Sequence, residues 1–191
     1  MAKMEMQSEE FLKVDPAGQV PAIKDGDFCL AESAAIMRYL CRTREVKPNW
    51  YPEDLQQQAV VNQTIDWYHN FLRPGCSGQV FKGFMGPNFF GIKFPENEIK
   101  YAKYLFKRSA KYMESLLEKH PYLCGDQPTI PDLMTVCELK QMDYIEFDFS
   151  KWPLVKEYIE RMLKIPEVNE VHSFMDKSVA KLREKKMIAK L

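Results

Sequence analysis

A chain of 191 residues and 22.4 kDa suffices for one or two small domains, and 46% hydrophobic with 28% charged residues is a globular, not a disordered, composition. Its 27 basic residues offset 27 acidic ones, which removes the global field that nucleic acid or an anionic membrane would select. No apolar run reaches the about 20 residues of a membrane helix, and the opening Met1-Ala2-Lys3-Met4-Glu5-Met6 lacks a signal peptide's apolar stretch, so a cytoplasmic protein is expected.

Cys29, Cys41, Cys76, Cys124 and Cys137 are scattered with no C-x-x-C pair, and His69, His120 and His172 stand alone. That pattern offers neither a disulfide framework nor a metal-ligand set. Cys29 and Cys137 lie in apolar runs and are expected as buried small hydrophobes.

In chain order, Ser8 to Val14 reads as a short helix stopped by Asp15-Pro16 and Gly18. Val20 to Lys24, the turn Asp25-Gly26-Asp27 and Phe28 to Leu30 then read as a β-hairpin. Pro21 cannot donate a ladder hydrogen bond, so it is placed at the strand's start after a bend. A cis bond there would leave the backbone groups of Val20 free to pair with something else. Glu32-Ser33 opens a helix ending near Arg42-Thr43, with Ser33 as its expected N-terminal cap. Residues 1–43 form a first domain on this reading. Residues 44–53, with Pro48, Trp50 and Pro52, are a linker.

Residues 54–191 read as an all-helical second domain. Two stripes mark its first helix: Leu55, Ala59, Asn62, Ile65 and His69, and also Val61, Ile65 and Tyr68. Further helices are expected from Glu96 to Lys119, Leu133 to Tyr144, Leu154 to Leu163, and Glu167 to the C-terminus. Thr129 followed by Asp132 has capping-box spacing. Between the first two helices, Gly75, Gly78, Gly83, Gly86 and Gly91 alternate with Phe81, Phe84, Phe89, Phe90 and Phe94. This irregular stretch either walls an apolar pocket or is a loop tucking its rings into the core. The C-terminal Lys177, Lys181, Arg183, Lys185, Lys186 and Lys190 face Glu184 alone, which reads as a solvated tail or as a docking arm for an acidic partner.

The run Asp15-Pro16-x-Gly18-Gln19-Val20-Pro21-Ala22-Ile23, Asp25-Gly26-Asp27-Phe28, Leu30-x-Glu32-Ser33-x-Ala35-Ile36 resembles the second half of a thioredoxin-like glutathione transferase domain. Leu123-Cys124-Gly125-Asp126-Gln127-Pro128-Thr129-Ile130-Pro131-Asp132 resembles that family's helix-start signature. Trp50-Tyr51-Pro52, Leu55-Gln56 and the Trp67/His69 pair are most similar to the theta class. The resemblance implies an α/β plus all-α fold: a truncated thioredoxin-like N-terminal part followed by the all-helical transferase C-terminal domain. It also implies glutathione as substrate or ligand, with no metal. Gln19, Val20, Pro21, Glu32 and Ser33 are its expected binding residues. Ser33 and the helix N-terminus would take the γ-glutamyl carboxylate, Glu32 its ammonium, and the Val20 backbone the cysteinyl unit, in the manner of strand addition.

The family's opening β-α-β unit of about 30 residues or more has no counterpart here, and with it goes the serine that theta-type members use to activate the glutathione sulfur. No residue of the sequence matches that role. Met6 stands where the family has a basic residue at the glycyl end, and Asn62 where it has a cross-subunit acid. The family conjugates glutathione to small electrophiles, and this chain is expected to do so weakly or not at all. The alternative is a non-catalytic interaction subunit of a larger assembly. A homodimer or a partner chain is expected to cover the exposed sheet edge. A cysteine redox sensor has little support, because no cysteine sits in an electropositive setting.

Overall fold

A two-residue loop between twisted strands favours positive φ at its first position, and Gly26 supplies it at φ +63°. The computed structural model describes residues 5–185, 187 and 188. In it, β1 (Ala22–Asp25) pairs antiparallel with β2 (Phe28–Ala31), with Ala22 opposite Ala31 and Asp25 opposite Phe28. Strand β1 begins one residue after Pro21, which is spared from giving a ladder bond. Before the hairpin lies the short α1 (Glu9–Leu12), capped by the Ser8 hydroxyl, which accepts from the Phe11 N–H at 3.2 Å. After it comes α2 (Ser33–Thr43). The chain divides into two units: one ends at Glu53, and the other begins at Asp54.

In the helical unit, α3 (Leu55–Trp67) starts on an Asp54 cap that accepts from the Gln57 N–H at 2.9 Å. Of the two stripes read from the sequence, only Val61, Ile65 and Tyr68 enter the core, whereas Leu55 is 78% exposed. The glycine-rich stretch is not an irregular loop. A π-helical turn (Tyr68–Leu72) runs into α4 (Arg73–Val80), and a longer π-helical segment (Phe81–Phe90) ends at Gly91, whose φ of +65° stops the helix. Gly75 does not break α4 but lets it approach the next helix: a Cβ there would lie 2.6 Å from the backbone nitrogen of Phe106. Of the five phenylalanines, only Phe84 is core; Phe81, Phe89 and Phe90 are exposed and Phe94 is half-buried.

Helix α5 (Glu96–Leu117) buries Ala102, Leu105, Phe106, Ser109, Ala110 and Met113 at spacings of three and four. Helix α6 (Ile130–Gln141) begins three residues earlier than the apolar pattern suggests. Pro131 sits in its first turn, where a missing N–H costs no helical bond. The capping box is present: the Thr129 N–H donates to Asp132 Oδ2 at 2.8 Å and its hydroxyl to the same oxygen at 2.9 Å. Helices α7 (Pro153–Met162) and α8 (Pro166–Glu184) complete the unit. Cys29 is half-buried and Cys137 is exposed, so neither is the buried hydrophobe that its apolar neighbours suggest. Along the basic tail, Arg183 pairs with Glu146 at 3.1 Å, while Lys186 and Lys190 lie outside the described residues. Among the described residues, no helix is long and apolar enough to cross a membrane.

Candidate functional site

The approach to the hairpin is held by a single buried carboxylate. Asp15 accepts from the Gln19 N–H at 2.8 Å and from the Ala17 N–H at 3.2 Å, while the Gly18 N–H donates to the Asp15 carbonyl at 3.0 Å. A short acidic side chain that binds its own downstream backbone is a turn-former. Gly18 takes φ +65° and lies tightly against the turn at Glu5–Gln7: an added Cβ would meet Gln7 Nε2 at 2.7 Å. Gln19 is therefore delivered in a fixed position, and the Val20-Pro21 bond that follows is cis, as the sequence suggested.

The hairpin register then assembles the site. Ala22 faces Ala31 as the last pair, so Pro21 and Glu32 flank the same open end of the hairpin, with Val20 and Ser33 one residue further out. Gln19, Val20, Pro21 and Glu32 are exposed, Val20 at 64%, and Ser33 is half-buried. Among the described residues, the backbone N–H and C=O of Val20 make no hydrogen bond. Glu32 holds φ +69° and ψ +113°, a conformation that a non-glycine residue keeps only where its surroundings impose it.

Ser33 is not the helix cap. Glu32 occupies the cap position, Ser33 is the first helical residue, and no side chain caps α2. The physical cause is the Glu32 backbone, which turns its side chain out to solvent instead of back over the helix. What results is an open helix N-terminus whose N–H groups and dipole favour an anion, with the Ser33 hydroxyl beside it. An exposed carboxylate, Glu32, is next to that anion-seeking end and can receive a cation. The two together suit a ligand end that carries both charges.

A second polar network fixes the opposite end of the hairpin to α2. The Tyr39 hydroxyl and Arg44 Nη2 both donate to Asp25 Oδ2 at 2.7 Å, and the Phe28 and Tyr39 rings meet at 5.1 Å. The Tyr39 hydroxyl and then Arg44 hold the Asp25 carboxyl below its usual range, and Asp25 in turn pushes the Tyr39 phenol up. Tyr39 is thus committed as a donor. The sequence reading missed this triad, whose members are 14 and 19 positions from Asp25. It also took Asp15 only as a helix stop, although the Asp-Pro-x-Gly spacing carries the turn signal. Met6 lies in the turn at Glu5–Gln7 and is 38% exposed, and Asn62 is half-buried in α3.

Two family models match the chain: "Glutathione S-transferase, N-terminal domain" over residues 1–42 and "Glutathione S-transferase, C-terminal domain" over residues 65–166. The chain is 34% identical over 188 residues to "Glutathione S-transferase T1" of Arabidopsis thaliana, covering 93% of this chain and 76% of that protein. Against "Glutathione S-transferase T2" of the same plant it is 32% identical over 200 residues, 99% of this chain, and spans about a third (34%) of that protein's length. A solved human theta-class glutathione transferase, in complex with the glutathione conjugate of 1-menaphthyl sulfate, superposes with a TM-score of 0.83 at 28% identity, over 98% of this chain and 78% of that one.

Proposed function

The chain belongs to the glutathione transferase family, with theta-class relatives, and on that premise we propose that the open end of its hairpin binds glutathione. The Ser33 hydroxyl and the uncapped start of α2 take the γ-glutamyl carboxylate, and Glu32 takes the ammonium beside it. The free N–H and C=O of Val20 pair with the cysteinyl backbone as an added strand would. Gln19, on the loop that Asp15 fixes, borders the same end, and Pro21 sets where the strand begins. The observation that carries this reading is the helix N-terminus left uncapped behind a positive-φ Glu32, at the same end of the hairpin as the unpaired backbone of Val20.

Binding and catalysis separate in these 191 residues. A free thiol has a pKa of about 8.5, so a bound glutathione needs a donor at its sulfur to react as thiolate at neutral pH. Ser33 is allotted to the γ-glutamyl end and the Tyr39 hydroxyl to Asp25, so neither of these two hydroxyls is offered to the sulfur. A polypeptide of residues 1–191 therefore binds glutathione but conjugates it slowly or not at all. Calorimetric titration with glutathione and turnover of a chromogenic electrophile test the two halves together. Saturable binding that weakens about tenfold in Ser33→Ala, with turnover near the uncatalysed rate, is expected. Absence of binding refutes the site, and brisk conjugation refutes the separation.

A further inference from the structure

The helical unit holds a cavity of about 330 Å³ lined by residues of α4, α5 and the segment joining α6 to α7, none of which the glutathione reading uses. Phe106, Phe147 and Trp152 line it, with Phe106 and Phe147 meeting edge to face at 4.6 Å, and Phe149, outside the lining, supports Phe147 at 4.8 Å. Lys103, Lys107 and Lys151 also line it, and none of the three has an ion-pair partner among the described residues. The two carboxylates on the same lining are already engaged. Glu146 accepts from Arg183 Nε at 3.1 Å, and Asp148 accepts from the Ser150 N–H and hydroxyl, each at 2.9 Å. With Arg183 balancing Glu146, the three lysines outnumber the one other carboxylate on the lining, Asp148, so the lining carries net positive charge in a molecule whose formal net charge is zero.

An accessible polar atom on a buried side chain adds a second feature. Gln79 is 2% exposed, and its Nε2 donates to the Gly75 carbonyl at 2.8 Å. That fixes the amide's orientation, and its carbonyl Oε1 makes no hydrogen bond among the described residues. That oxygen is not among the buried atoms left without a partner, so it is open to the cavity and free to accept from an occupant. Gln79 lines this cavity, so an occupant that brings an N–H donor finds a fixed acceptor there.

We propose that this cavity binds a nucleoside monophosphate whose base carries an exocyclic amino group. The base lies against the aromatic wall, its amino group donates to Gln79 Oε1, and the phosphate dianion sits among Lys103, Lys107 and Lys151. Aromatic walls with a few placed polar groups are what ligand pockets of this size offer, and lysine ammoniums are suited to phosphate as point charges. The same chemistry is presented by a free mononucleotide and by the nucleotide portion of a larger cofactor.

Calorimetric titrations with adenosine monophosphate, inosine monophosphate and adenosine test each contact in turn. Adenosine monophosphate is expected to bind saturably at low ionic strength and to weaken as salt is raised. Inosine monophosphate, which lacks the amino group, and adenosine, which lacks the phosphate, are each expected to bind about tenfold more weakly. Lys107→Glu with Lys151→Glu, both exposed positions, should abolish the advantage of the phosphate while leaving the circular dichroism melt unchanged. Gln79→Leu should erase the preference for adenosine monophosphate over inosine monophosphate. Coenzyme A as a further ligand distinguishes the two sources: tighter binding than the mononucleotide points to the larger cofactor, and weaker binding to the free nucleotide. No saturable binding of adenosine monophosphate at millimolar concentration, or equal affinity in the lysine variant, overturns the proposal.

Discussion

In the helical unit the most heavily bonded polar group is Asp132, fully buried and accepting from Leu123, Thr129 and Tyr158 at 2.8 to 3.0 Å. In the hairpin unit the comparable groups are Asp15 and Asp25, which bind their own loop and α2 and leave Val20 and Glu32 exposed and Ser33 half-buried. The first kind of carboxylate closes every polar group around it, and the second positions neighbours that stay unsatisfied. The closed network thus lies in the helical unit, away from the proposed glutathione contacts. Those proposed contacts lie in the unit where, among the described residues, the only buried hydrophobics are Ala34 and Ile36. A polar cluster at a loop marks scaffold when it is closed on itself and site when it aims free groups outward.

Breaking the closed network gives the largest expected effect. Asp132→Ala strands the Tyr158 hydroxyl and the N–H groups of Leu123 and Thr129 in the interior, at a combined cost of about 3–5 kcal/mol, read as a fall in the urea midpoint. Glutathione affinity per folded molecule should not change. Gly75→Ala comes next. The added Cβ collides with the backbone of Phe106, at 2.6 Å from its nitrogen and 2.9 Å from its Cα, where no side chain can give way. Overpacking of this kind costs about 1–3 kcal/mol, measurable by thermal denaturation.

That glycine also shows why part of the fold was illegible in the sequence. Five glycines among five phenylalanines read as a broken loop, because a glycine's meaning depends on what passes beside it. At Gly75 it is the backbone of a helix about 30 residues later. The hairpin, by contrast, is legible from a local Asp-Gly turn and two apolar runs, and the start of α6 from Thr129 and Asp132, because both signals lie within a few residues of their effect. Ser33 shows the same limit at the site. Its type and place before an apolar run suit a cap, but the backbone angle at Glu32 decides which residue caps, and no residue-type rule foretells φ +69° at a glutamate. The Asp25–Tyr39–Arg44 triad crosses from a hairpin turn to the end of a helix and leaves no periodic trace.

A smaller effect sharpens the comparison through pH. Burial pushes the Glu138 carboxyl above its ordinary value of 4.5, although the Tyr68 hydroxyl donates to its Oε1 at 2.9 Å and Arg73 lies 3.6 Å from the same oxygen. Its Oε2 is buried without a partner. Folded protein therefore keeps the Glu138 proton to higher pH than unfolded protein does. The stabilisation is whole below pH 4.5 and is lost as pH rises through the raised folded value. Burial raises Asp132 as well, with the same sign. Urea midpoints measured from pH 4.5 upward should fall, and Glu138→Gln should flatten that slope without affecting glutathione binding.

The most direct test of the hairpin site is an amide NMR titration of the 15N-labelled protein with glutathione. Saturable shifts are expected at Val20, Ser33, Ala34 and Ala35, weakened in Asp15→Ala because the loop carrying Gln19 and Val20 loses its tether. Shifts confined to the helical unit, or unchanged in Asp15→Ala and Ser33→Ala, would contradict the account.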